Sequence, residues 1–357
     1  GAASVPSISN IGEFEPLRSL AEEFRYNAQF GEKVRQLSRC GYVGWRRVRG
    51  DGNCFYRAFG LGMLEQIALA PDSMRAKWVG VFMRRLLAIH FGDAAEQSAH
   101  MHLALFLERW FADCGRHADS GGELQLRAIA VLHRKLLDPN DTTDVALIRA
   151  LRHMAARFLV RNANDDEVGG GIAFDTWCSA LGFGGVEDFC TQVVLPLGVE
   201  AEGVVLKAMP LVFGAKLRVA FLDRREANCL TFCDYPEAVE ETVLDGQNRA
   251  CQGLPSQPPT EPLVHLQLRP GHYDLLYPRA QQIMESIPIM ESIPARSHQR
   301  QPHHSAESAA SGSHQRRPQL QIPHLQQARQ ARQEPEPMEK EANATLSPPM
   351  WRGLGAA

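Results

Sequence analysis

The chain predicts an α+β fold, on three observations. Apolar residues recur at helical spacing through its middle, strand-like alternation takes over from about Leu217, and the two regimes follow one another instead of alternating. Helices followed by a run of strands argue for an α+β domain rather than for a parallel doubly wound sheet.

From the N-terminus, Leu17, Leu20 and Phe24, then Val34 and Leu37, stand at roughly helical spacing among charges, so Glu13–Ser38 predicts one or two amphipathic helices. Tyr42–Val48 reads as a strand, and it leads into the turn Gly50-Asp51-Gly52-Asn53-Cys54. Phe55, Ala58, Phe59, Met63 and Ile67 then repeat at three to four residues, which predicts a buried helix with Cys54 in its first turn. Further helices are expected from Met74 to Leu86, Met101 to Phe111, Leu124 to Leu137, and Val145 to Phe158, the last behind an Asp144 cap. Asn162–Gly171 is acidic and glycine-rich, hence a loop, and Val186–Leu195 and Val204–Val212 read as two more helices. Leu217–Asp223, Leu230–Phe232 and Leu263–Leu268 read as strands, and Arg269-Pro270-Gly271 supplies a turn before a last strand, His272–Tyr277. Glu237–Pro262, polar and with four prolines, is expected to be a surface loop.

From Gln281 onward the composition changes: nine of the 22 prolines, one aromatic (Trp351), no cysteine, and a direct repeat of Ile283–Pro288 as Ile289–Pro294. Such a segment lacks the apolar surface to offset its chain entropy. The expected organisation is a flexible 1–12, a folded domain 13–280 and a disordered tail 281–357. The His303-His304 pair reads as part of a solvated linker.

Composition also excludes. A net charge of −3 and a pI near 6.5 give no electrostatic footprint for coating nucleic acid or a membrane surface. The richest apolar runs, such as Val79–Leu87, are interrupted by arginines and fall short of the ~20 residues of a membrane helix. The N-terminus shows no secretory signal, and it lacks an initiator Met. Eight cysteines, at 40, 54, 114, 178, 190, 229, 233 and 251, form no disulfide-like framework and read as reduced thiols of a cytoplasmic or nuclear protein. Cys229 and Cys233, the one close pair, face no second pair at zinc-ligand spacing, so core thiols are expected and no metal.

Two places carry chemistry. A thiol acts as a nucleophile when ionised, and a free one, with a pKa of ~8.5, is mostly protonated near neutrality. A helix N-terminus favours the anion, and its free N–H groups, approached closely because Gly52 has no side chain, can hold the oxyanion of an acyl-transfer intermediate. A cysteine opening a helix is equally what a small buried hydrophobe looks like. In Gly271-His272-Tyr273-Asp274, strand alternation puts His272 and Asp274 on one face, so Asp274 can hold one nitrogen of an imidazole that takes a thiol proton with the other. A hairpin histidine beside a surface aspartate would read the same.

Taken together, Asp51-Gly52-Asn53-Cys54-Phe55-Tyr56-Arg57-Ala58 and Pro270-Gly271-His272-Tyr273-Asp274-Leu275-Leu276-Tyr277 closely resemble the two signature blocks of otubains, within the ovarian-tumour class of deubiquitinating cysteine proteases. Arg157–Asn162, Glu187–Cys190 and Leu217–Asp223 are similar as well, so the resemblance runs from about Pro16 to Tyr277. It implies a papain-like fold with a helical lobe on a small, mostly antiparallel sheet. Cys54 is then the nucleophile, His272 the base, Asp274 the residue orienting it, and Asp51 the aspartate that shapes the oxyanion loop with Gly52 and Cys54. It implies hydrolysis of isopeptide bonds in polyubiquitin or ubiquitinated proteins, without a cofactor. Gly203 stands where otubains usually carry a histidine, and Glu237–Pro262 is long for the family; both bear on linkage preference.

Ubiquitin and polyubiquitin are the expected partners, with neither nucleic acid nor membrane. Two rivals remain: a non-catalytic binder of ubiquitin-conjugating enzymes that uses Glu13–Ser38, and a protease for ubiquitin-like modifiers.

Overall fold

A computed structural model describes residues 9–116, 123–138, 141–222, 229–236 and 261–286. Along it run β1 (Ile11–Pro16), α1 (Leu17–Glu23), α2 (Ala28–Arg39), β2 (Tyr42–Val48), α3 (Cys54–Leu69), α4 (Asp72–Leu87), α5 (Ala94–Arg116) and α6 (Glu123–Leu137). After these come α7 (Thr142–Arg161), α8 (Phe174–Ala180), α9 (Val186–Phe189) with a π turn over Cys190–Val194, and α10 (Gly203–Phe213). The strands β3 (Lys216–Phe221), β4 (Thr231–Tyr235), β5 (Leu263–Arg269) and β6 (His272–Pro278) follow, and then 3-10 turns over Arg279–Ser286.

The strands form one six-stranded sheet in the order β1-β2-β6-β5-β3-β4, antiparallel at every step except the parallel β3–β5 pair. Its two faces are covered separately. Phe55, Phe59, Leu64 and Ile67 of α3 are almost wholly buried in the main core, which Tyr273, Leu275 and Tyr277 of β6 join. Leu276 instead joins a second core with Trp45 and with Leu20, Phe30, Val34 and Leu37 of α1 and α2. The alternation along β6 therefore turns the even-numbered residues, His272 and Asp274 included, toward the α1–α2 side. Asn27 caps α2 by accepting from the Phe30 amide at 3.1 Å, a bond of the kind that contributes about 1 kcal/mol.

The α+β expectation, a helical lobe on a mostly antiparallel sheet, matches this architecture. Several local expectations do not. Glu13–Pro16 belongs to a strand, because Phe14 and Glu15 pair with Arg46 and Trp45 at the sheet edge. Residues 9–12, expected to be flexible, include Asn10 and Ile11 at 4% and 0% exposure, Ile11 packing into the main core and pairing with Val48. The cap of α7 is Asp141, whose carboxylate accepts from the Thr143 amide at 2.8 Å, while Asp144 is buried in an ion pair. Cys229 and Cys233 are exposed on and beside the edge strand β4, not in the core. Helix α8 was not foreseen; its seven residues are too few to establish a period. Ordered structure also runs past 280, because Met284 is 1% exposed against the main core. Residues 237–260 of the expected loop, Cys251, and the expected tail from 287 on, with its histidine pair and all but the start of the repeat, lie outside the described residues.

Candidate active site

The turn before α3 is held from two directions. Asp51 accepts from the Asn53 amide at 3.0 Å, and Arg57, one turn into the helix, donates to both Asp51 oxygens at 2.9 Å. The other edge of that guanidinium is fixed by Asp144, with Nε 2.9 Å from Oδ1 and Nη2 3.0 Å from Oδ2. Burial, the largest influence on the Asp51 carboxyl, would raise its pKa; the bonds and charge of Arg57 and the Asn53 amide outweigh it and leave it below the usual range. For Asp144, deeper in, burial wins and pushes the carboxyl up despite Arg57.

From the other side, Asn53 Oδ1 accepts from the Gly198 amide at 2.9 Å and from Arg152 at 2.8 Å. Arg152 is fully buried, stacks over Tyr56 at 4.1 Å, and also donates to the carbonyls of Gly52, Val194 and Val199. One guanidinium thus ties the turn before α3 to the 193–199 segment. The turn delivers Cys54, 2% exposed, as the first residue of α3, where a helix N–H has no intrahelical acceptor. The Asp51 amide donates to the Arg49 carbonyl at 3.2 Å, so this N–H, expected at the oxyanion site, is already occupied.

Across from it, His272 Nε2 lies 2.9 Å from Asp274 Oδ1. That bond leaves Nδ1 as the nitrogen free to exchange a proton with the thiol. The imidazole pKa rises to about 9, first through the hydrogen bond with Asp274 and next through that with Cys54, against the opposing effect of burial. Asp274 is 0% exposed, and its Oδ1 also accepts from the Val48 amide at 2.9 Å. Its Oδ2 accepts from Gln267 at 3.1 Å and from Arg269 at 2.5 Å. Burial, the strongest single influence, raises the Asp274 carboxyl, but His272, Arg269 and the Val48 amide together bring it below the usual carboxylate range. His272 lines an open cleft of about 620 Å³ between β2 and the β5–β6 turn, together with Phe24, Arg47, Gly50 and Pro270.

The structure brings Cys54, His272, Asp274, Asp51 and Gly52 together at one place. Burial pushes the thiols of Cys114, Cys178 and Cys190 to about 12, 11 and 12, so these stay protonated and unreactive near neutrality. Periodicity gave no hint of Arg57, Asp144, Arg152 and Arg269. One signal was available for three of them: an arginine or aspartate inside an otherwise apolar helix stretch is buried only if paired.

Residues 3–278 match the family model described as Peptidase C65 Otubain. Among similar proteins, the ovarian tumor domain-containing deubiquitinating enzyme 1 of Arabidopsis thaliana is 27% identical over 288 residues, spanning 78% of this chain and 83% of that protein. Ubiquitin thioesterase OTUB1 of Homo sapiens is 26% identical over 256 residues, spanning 70% and 75%. Two solved structures share the fold: an h/ceOTUB1-ubiquitin aldehyde-UBC13~Ub complex (TM-score 0.52, 21% identity, 76% of this chain and 91% of that one) and a ceOTUB1 ubiquitin aldehyde UBC13~Ub complex (0.53, 21%, 76% and 95%).

Proposed function

Because the chain belongs to the otubain family, peptidase C65, we propose that it is a thiol-dependent deubiquitinase that cleaves the isopeptide bond between a ubiquitin C-terminus and a lysine. The observation that carries this reading is the hydrogen-bonded line from Asp274 through His272 to Cys54 at the start of a buried helix. His272 takes the Cys54 proton, the thiolate attacks the carbonyl carbon, and His272 returns the proton to the departing lysine amine. A water molecule, deprotonated by the now neutral His272, then opens the thioester. Relatives named ubiquitin thioesterases support the choice of substrate.

Reaction with ubiquitin bearing an electrophilic C-terminus tests nucleophile and ligand together. The expected result is one adduct per chain, on Cys54, lost in Cys54→Ala although that variant still binds ubiquitin. An unchanged yield of adduct, or diubiquitin cleavage at wild-type rate by Cys54→Ala, defeats the proposal.

A second reading, binding of ubiquitin-charged conjugating enzymes, draws on the complexes of related folds that contain UBC13~Ub or UBCH5B~Ub. Removing Glu13–Ser38 would not test it cleanly, since α1 and α2 supply much of the second core. Tyr26, between α1 and α2 and 88% exposed, is the better probe. Tyr26→Ala should weaken capture of a charged conjugating enzyme while leaving the melting temperature unchanged; equal capture by both proteins counts against this reading.

A further inference from the structure

Arg269 ends β5 directly opposite His272, its Cα partner in the β5–β6 hairpin. Its side chain is 12% exposed and clamped on four sides. One nitrogen donates to Asp274 Oδ2 at 2.5 Å and another to Glu23 Oε1 at 3.1 Å, while the guanidinium carbon lies 5.6 Å and 5.7 Å from the ring centres of Phe24 and Trp45. Two carboxylates and two aromatic rings therefore define both the position and the plane of the guanidinium.

Its importance follows from the partners of Asp274. A buried carboxylate without a compensating cation takes up a proton instead of remaining charged. Of its four hydrogen-bond donors, the Val48 amide and Gln267 are neutral. His272 is a cation for only part of a catalytic cycle, because it must give up its proton to the leaving amine. Arg269 keeps its charge throughout. During the interval in which His272 is neutral, Arg269 is thus, among the described residues, the one cation bonded to Asp274.

Building on the reading of Asp274 as the residue that orients the base, we infer that Arg269 is a positioning residue for His272. It keeps Asp274 ionised and in plane while His272 is neutral, and through Glu23 it anchors that carboxylate to α1.

The test is a double-mutant cycle between Arg269 and Asp274 in the full-length chain, with ubiquitin carrying a C-terminal fluorogenic amide as probe and circular dichroism as the check on folding. In the wild-type background Arg269→Met should lower kcat about 10- to 100-fold, at or below the lower end of the ~10²- to 10⁴-fold range of general acid–base effects because Arg269 acts through Asp274, with KM changed by less than about twofold. Arg269→Lys, which keeps the charge but cannot reach both carboxylates at once, should recover part of that loss. In the Asp274→Asn background, where no carboxylate remains to be held, Arg269→Met should change kcat by less than about twofold. An equal loss in both backgrounds shows a scaffolding role and overturns the inference, as does wild-type kcat in Arg269→Met. If Arg269→Met does not fold, Arg269→Lys is carried through the same cycle: its smaller loss must likewise vanish beside Asp274→Asn, and a loss that persists, or no loss at all, overturns the inference. Absence of turnover in the wild-type chain would sink the hydrolase reading along with this one, whereas wild-type turnover with an unaffected Arg269→Met sinks this one alone.

Discussion

Gly52 and Gly198 meet backbone to backbone: with φ at +74°, Gly52 sits so that a Cβ on it would lie 1.9 Å from the Gly198 carbonyl oxygen. The contact sets how closely the 193–199 segment approaches the turn that presents Cys54, and the Asn53 bond to the Gly198 amide locks it. Gly52→Ala adds a steric overlap to a left-handed backbone that itself costs a non-glycine residue about 1–2 kcal/mol. It should lose most turnover and unfold at lower temperature. Gly203→Ala in α10, where a Cβ meets nothing within 4 Å, is the control and should melt at or above wild type. Wild-type kinetics in Gly52→Ala would show that the turn tolerates a wider separation.

Arg57 neutralises Asp51 and Asp144 at once, and the side chains of Arg57 and Asp144 are 3% and 2% exposed. Arg57→Met strands a buried carboxylate, for which the expected cost is about 3–5 kcal/mol. Urea unfolding measures it, and a loss below about 1 kcal/mol would mean that Asp144 finds another partner or becomes neutral at little cost.

Asp274→Asn should keep the fold and slow turnover, by up to the ~10⁴-fold seen for the analogous change in a serine-protease triad. The loss is expected to be smaller here, because a cysteine–histidine pair can form an ion pair unaided. Diubiquitin cleavage by the folded variant decides it, with His272→Ala as the more damaging comparison.

The raised pKa of His272, about 9, predicts a pH dependence with a definite sign. The imidazolium of His272 survives through neutrality, so the alkaline limb of kcat/KM should fall near that value and move downward in Asp274→Asn, which removes the largest cause of the shift. For stability, a folded pKa above the unfolded value of about 6.5 means that protonation favours the folded state. The contribution is full below about 6.5 and is lost as pH rises through about 9. His272→Ala should therefore cost more stability at about pH 6 than at about pH 10, and equal costs in urea titrations at the two values would contradict the assignment.

Where the chain is cut should matter by six residues. A chain ending at Ser286 keeps Met284, which is 1% exposed against the main core, whereas one ending at Ala280 loses it. Losing a buried methionine is typically worth about 2–5 kcal/mol, so the shorter chain should melt distinctly lower. Equal melting temperatures would show that the 3-10 turns add nothing.

What the sequence by itself determined is whatever depends on neighbours within a few residues. The spacing of Phe55, Ala58, Phe59 and Met63 was enough for α3, and it placed Cys54 at the helix start. Alternation along β6 was enough to set His272 and Asp274 on one face, and the two signature blocks were enough to point to the family. Tertiary structure alone decided how those residues are supported. Arg57 meets Asp144 across 87 positions, Arg152 meets Asn53 across 99, and Arg269 meets Glu23 across 246. The same holds for β1, a strand because β2 lies beside it, and for Met284, buried because the main core leaves room for it. The physical reason is that a period of two or 3.6 reports which face a residue occupies, whereas the partner of a buried charge is chosen by whatever the fold brings within hydrogen-bond reach, and no local pattern encodes that distance.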